Sequence, residues 1–371
     1  MKRFSLDILF ENKYLSQVML KNTIWMAGSF LIAKLSKFFM MIVIARTLTP
    51  EIFGQINYII VLSAFCFCLS EIGLSLLINR EYQQEKIEPQ QLFSAGLAIK
   101  IFLVGSNFII ALVAMNYISN SLKLPFLVFI VMNAIDSLKM YYIAIIRAQN
   151  NRQYEAIAFM IETLVTSILG IVLIWQTGSI LFLSLAYLSG SLLSSCYILF
   201  KSKNIINSLR TAKAEHIKYI LKKLLPFTLA AFLAIAITSI DTLMIQWIDG
   251  NEGVGYFQAG LKISETILII PILFMTNLFP FTAKYNDDDK RQIDIVSQST
   301  SIMIMVGLPI IIGGIFLSEE IITAIYSISY IPAIKPFKIL LIATFPMFFL
   351  SLFNGLLLAI NKEKVSVTLT S

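Results

Sequence analysis

The run LPFLVFIVMNAIDSLKMYYIAII, Leu124 to Ile146, decides the fold class. It holds 23 residues. As an α-helix rising about 1.5 Å per residue it covers about 34 Å, enough for the roughly 30 Å hydrocarbon core of a bilayer. Yet Asp136 and Lys139 stand near its middle. A lone charge facing lipid at that depth costs roughly 2.5–3.5 kcal/mol on insertion scales. The two charges should therefore meet each other, a bundle interior or a wet cavity.

Working outward, nine more windows are long and apolar enough to cross a bilayer. The ten expected spans are Ile24–Ala45, Gln55–Leu77, Leu92–Met115, Leu124–Ile146, Ala156–Trp175, Ile180–Phe200, Leu224–Ile248, Val254–Phe279, Ser299–Leu317 and Phe337–Ile360. Charges recur inside them. Lys34 and Lys37 share one face of the first, and Lys262 and Glu265 are three apart in the eighth. Six such charges facing lipid would cost on the order of 15–20 kcal/mol, so a charged interior is expected. A polytopic protein with that interior is a transporter candidate. The composition agrees: 371 residues, 57% hydrophobic, mean hydropathy +0.80, against about 45–50% apolar in soluble domains. A β-barrel would show alternating segments of about ten residues, and the chain has no such pattern.

Loop charges give the orientation expected for the chain. With the N-terminus in the cytoplasm, twenty lysines and arginines fall on the inner side and four on the outer: Arg46, Lys123, Lys335 and Lys338. The net charge of +7 is then a positive-inside signal, not a nucleic-acid footprint. Met1–Asn22 reads as a cytoplasmic segment on the membrane surface, with no cleavage site of a signal peptide. Cys66, Cys68 and Cys196 all lie in apolar spans and read as small core residues. Cys66 and Cys68, two apart, point to different helix faces. The single histidine, His216, sits in the basic loop, so no histidine metal site or Ser-His-Asp relay forms with the intramembrane groups. No enzyme activity, cofactor or metal is expected.

The chain divides into a first six-helix bundle (23–200), a basic linker (201–223) and a second bundle (224–371). The halves echo each other. Pro50-Glu51-Ile52-Phe53-Gly54-Gln55 and Asn251-Glu252-Gly253-Val254-Gly255-Tyr256 repeat a glutamate and a glycine at an offset of 201 residues. Ala148-Gln149-Asn150-Asn151-Arg152 and Ala359-Ile360-Asn361-Lys362-Glu363 recur at an offset of 211. Six spans separate the copies, so the repeat is parallel, an arrangement that places transporter halves about an axis along the membrane normal. By this repeat the second bundle ends two helices short, leaving about ten of twelve or more.

Ala45-Arg46-Thr47-Leu48-Thr49-Pro50-Glu51-Ile52-Phe53-Gly54, then Glu71-Ile72-Gly73-Leu74, carry a resemblance in the first half. Asp241-Thr242-Leu243, Gly255-Tyr256-Phe257-Gln258-Ala259-Gly260-Leu261-Lys262-Ile263 and Phe279-Pro280 carry it in the second. The chain resembles the Wzx-like O-antigen and polysaccharide flippases of the multidrug/oligosaccharidyl-lipid/polysaccharide exporter superfamily. The resemblance implies an all-α, MATE-like fold. It implies translocation of an undecaprenyl-pyrophosphate-linked oligosaccharide across the bacterial inner membrane by alternating access. It also implies membrane lipids, a polysaccharide polymerase and glycosyltransferases as partners, and no nucleic acid. The alternatives are a multidrug and toxin extrusion type cation-coupled exporter and a truncated, inactive remnant.

The candidate site residues follow. Lys34, Lys37, Lys139 and Lys262 are the candidates for an anionic headgroup. Asp136, Asp241 and Glu265 are candidates for ion coupling or charge pairing, with Lys139 and Lys262 equally suited to be their structural partners. Lys100 reads as snorkelling. Arg46, Pro50, Gly54 and Gly255 read as structural turn residues, and Asp287-Asp288-Asp289-Lys290-Arg291 as a solvated loop.

Overall fold

A computed structural model describes residues 15–71, 73–84, 87–149, 151–208, 211–284 and 289–359. The start of the N-terminal segment, Asp287, Asp288 and the stretch from Ile360 to Ser371 lie outside them, and with them part of the second echo.

Helices account for the described chain: α1 (Leu15–Thr47), α2 (Pro50–Cys66), α3 (Leu74–Gln83), α4 (Pro89–Ala114), α5 (Asn120–Ala148), α6 (Arg152–Thr177), α7 (Ile180–Lys201), α8 (Lys203–Ser208), α9 (Ala214–Ile267), α10 (Ile269–Lys284), α11 (Asp289–Phe316), α12 (Ser318–Ile325) and α13 (Ile334–Ala359). Short 3-10 turns fill several joints. The chain is an all-helical polytopic membrane protein. Among the described residues eight helices are long and apolar enough to cross a membrane, or nine if one bent pair counts as a single span.

That count differs from the ten windows of the sequence at two places. The second window breaks: α2 stops at Cys66, a 3-10 turn follows, and α3 starts only after Gly73, which sits at φ 47° in the left-handed region that favours glycine. The seventh and eighth windows fall in one counted stretch, Ile235–Met275, in which two helices meet at a kink. Inside it Gly250 adopts φ 70°, ψ −162°, a conformation open essentially only to glycine.

The chain forms two compact units, Met1–Gly255 and Tyr256–Ser371. In the first, α1 packs on α6, and α7 packs on both α5 and α6. Small residues permit this closeness, as is usual between membrane helices. A Cβ on Gly190 of α7 would lie 2.2 Å from Thr166 Oγ1 and 2.6 Å from the Glu162 carbonyl of α6. The basic linker is not a loose joint. Ile220 and Leu224, at the start of α9, are buried in a core with Leu77, Ile78, Leu92, Phe93 and Tyr141. Lys223 and Tyr219 then reach the buried Glu81 of α3, with Lys223 Nζ at 2.9 and 3.0 Å from its two oxygens and Tyr219 OH at 2.8 Å.

The second unit is built on α10, α11 and α13 around Met275, Met303, Phe348, Leu352 and Leu356. Tyr326 OH donates to the Ala259 carbonyl at 2.9 Å. Cys196 departs from its expected place in a core: its side chain is exposed.

Candidate functional site

The polar groups of the first unit converge inside α5, α6 and α7. Lys139 of α5 has a side chain only 2% exposed. Its ammonium donates to Asp136 Oδ1 at 2.6 Å, to Glu162 Oε2 at 2.6 Å and to Ser194 Oγ at 3.1 Å. An ammonium has three hydrogens, so three acceptors saturate it. Ser191 Oγ donates to Asp136 Oδ1 at 2.5 Å, and Ser194 Oγ lies 3.0 Å from the Ser191 carbonyl. Helical spacing explains the convergence. Asp136 and Lys139 are three apart and so share a face of α5. Ser191 and Ser194 repeat that spacing on α7. Gly190 lets α7 approach α6 closely enough for its serines to face Glu162. With both acids ionised the cluster carries two negative charges against one positive. Breaking one partner of such a buried network leaves an uncompensated charge.

A second polar line holds the break between α2 and α3. The fully buried Lys100 of α4 donates to the Ser70 carbonyl at 2.6 Å. Ser137 Oγ contacts Ser70 Oγ at 2.8 Å. A broken helix leaves carbonyls without intrahelical partners, and inside a membrane they must be satisfied by the protein. Lys100 therefore does not snorkel to water. It caps a helix end.

The other sequence candidates are dispersed. Lys34 of α1 is half-buried, its Nζ 5.9 Å from the centre of the Phe30 ring, while Lys37 is exposed. Lys262 pairs with Glu265 at 3.3 Å, both partly exposed, in the second unit. Asp241 of α9 and Arg46 of α1 are exposed. The structure thus joins Lys139 to Asp136, and Lys262 to Glu265. It shows no link between these pairs and Lys34.

Pro50 occupies the first turn of α2, with Thr49 Oγ1 accepting from the Ile52 N–H at 3.4 Å. Gly54 and Gly255 are not turn residues. Each lies inside a helix, and its missing side chain serves a close crossing. A Cβ on Gly54 would sit 1.7 Å from the Asn251 carbonyl oxygen, and one on Gly255 would sit 2.1 Å from the Pro50 carbonyl oxygen. Asn251 stands to Pro50 as Gly255 stands to Gly54, both at the offset of 201 residues. The contact is therefore reciprocal, the mark of a local two-fold relation.

Glu162, Ser191 and Ser194 were absent from the sequence candidates. Their signal was a run of small polar residues, Ser189-Gly190-Ser191 and Ser194-Ser195, in an otherwise apolar span, and an acid in the span beside it.

The family model described as Polysaccharide biosynthesis protein matches residues 19–286, well over half of the chain. The chain belongs to that family. No curated protein matches it. Among solved structures, the lipid II flippase MurJ in an inward closed conformation is similar at a TM-score of 0.73 and 16% identity, covering 93% of this chain and 78% of that one. A MATE family multidrug resistance transporter of the MOP superfamily, inward-facing, is similar at 0.67 and 16%, covering 90% and 82%. A MOP superfamily transporter from Pyrococcus furiosus is similar at 0.66 and 15%, covering 97% and 88%. This member of the polysaccharide biosynthesis family therefore has the fold of MOP superfamily transporters.

Proposed function

We propose that the chain is a flippase for an undecaprenyl-pyrophosphate-linked oligosaccharide, a repeat unit of O-antigen or another surface polysaccharide, in the bacterial inner membrane. The observation that carries this reading is the family match over residues 19–286. The fold, shared with a lipid II flippase, supports it. A pyrophosphate must pass about 30 Å of hydrocarbon, and cations in a low-dielectric cavity attract it strongly. Lys34 and Lys37 are the cations proposed for that work. Neither is tied to the saturated cluster around Lys139, which holds helices together and has no ammonium hydrogen left for cargo. Lys262 is held to Glu265 by a longer, partly exposed contact. The cycle proposed is alternating access.

Replacing Lys34 and Lys37 together by alanine should abolish export at unchanged membrane levels. Complementation of a flippase-deficient strain, with surface polysaccharide as the readout, measures it. Paired arginines should rescue in part, because charge persists while donor geometry changes. Parental export by the double alanine variant would remove both lysines from the cargo path.

The proposed orientation is N-terminus inside. In a variant lacking Cys66, Cys68 and Cys196, a cysteine at Ser119 should react with an impermeant thiol reagent on intact cells. One at Thr211, equally exposed in the structure, should react only after lysis. The reverse pattern would invert the topology.

A further inference from the structure

Lys335 and Lys338 open α13, three residues apart and therefore on one face. Both are exposed. With Ile331, Pro332, Ile334 and Ile339 they line a cavity of about 570 Å³, the size range of small-ligand sites.

Four other lysines have polar partners. Lys100 has a carbonyl, Lys139 two carboxylates, Lys223 Glu81 and Lys262 Glu265. Lys335 and Lys338 form no ion pair or hydrogen bond with any described residue. Glu319 and Glu320 lie on α12, which packs against the 3-10 turn Ile328–Ala333 that carries Ile331 and Pro332, yet neither pairs with them. Two like charges at this spacing repel each other on a helix. An anion between them relieves that repulsion.

The apolar side of the site says which anion. Ile339 and Ile342 follow Lys335 and Lys338 by one turn each, on the same face, and each is 60% exposed. Along the helix a pair of cations thus gives way to a bare apolar stripe. Inorganic phosphate would satisfy the lysines and leave the isoleucines uncovered. A zwitterionic lipid would cover the isoleucines and bring no net charge.

We propose that this cavity is a binding site for an anionic phospholipid of the adjacent leaflet, its phosphate held by Lys335 and Lys338 and its acyl chains laid along Ile339 and Ile342. The site stands whatever cargo the protein carries.

Native mass spectrometry of the purified full chain, released from detergent with equal phosphatidylglycerol and phosphatidylcholine, tests it. The parent should retain phosphatidylglycerol preferentially. Lys335→Gln with Lys338→Gln should lower that preference on the order of tenfold or more. Lys335→Glu with Lys338→Glu should reverse it, and Lys123→Gln should leave it unchanged. Undiminished preference in the double glutamine variant would overturn the proposal. So would displacement of the lipid by millimolar inorganic phosphate, which would make the cavity a site for the free anion.

Discussion

Replacing Lys139 by methionine is expected to cost the first unit about 3–5 kcal/mol, the usual consequence of stranding buried charges by removing their partner. Methionine matches the lysine stem in bulk, so the loss is electrostatic. Asp136 and Glu162 would face each other with only Ser191 and Ser194 between them. Thermal unfolding of the purified protein in detergent should show a large fall in midpoint. Adding Asp136→Asn and Glu162→Gln should restore most of it, because the triple variant is uncharged and keeps nearly the same shape. Lys139→Arg should fall between, since a guanidinium spreads its donors over a wide planar fork and cannot aim three hydrogens from one nitrogen as an ammonium does. A parental midpoint for the methionine variant would mean that the network does not hold α5, α6 and α7 together.

Alanine at Gly54 or at Gly255 should cost about 1–3 kcal/mol, the usual range for overpacking. Both would drive a methyl group into main-chain carbonyls, which cannot rotate away as a side chain can. The two costs should be less than additive, because either methyl separates the same pair of helices and the second finds the gap already open. Gly105→Ala is the control with the opposite sign. Nothing lies within 4 Å of a Cβ there, and alanine stabilises a helix interior by up to about 1 kcal/mol over glycine. Unfolding midpoints of the four variants decide the matter. Equal behaviour at Gly54 and Gly105 would show that the crossing is loose in the membrane.

The polytopic helical class was legible in the sequence because its signal is local. Leu124–Ile146 falls within α5, Ile180–Phe200 within α7, and Leu92–Met115 almost coincides with α4. The break after α2 was hidden, since Gln55–Leu77 is apolar overall, with Glu71 its one charged residue. Its marker is the single Gly73, whose left-handed backbone is a matter of conformation, not hydropathy. The pairing of Asp136 with Lys139 could be read from spacing within one helix. Glu162 could not be joined to them, because contacts between helices leave no periodic trace. The same holds for Lys100, whose partner is a main-chain carbonyl with no residue type to announce it. Gly54 and Gly255 were visible as an echo, and the distances turned them from turn residues into a helix crossing.

The i,i+3 placement of Asp136 and Lys139 also bears on how the chain is made. Glu162 follows Lys139 by 23 residues and Ser194 by 55. At about 5–20 residues per second the glutamate is synthesised roughly 1–5 s after the lysine, and the serine later still. Until α6 and α7 are in place, the lysine of α5 lacks two of its final three acceptors. Asp136 travels with it on the same helix, a counter-ion present from the first moment. The aspartate thus acts as an escort during biogenesis, and the later helices take over a charge that has already been brought safely into the membrane.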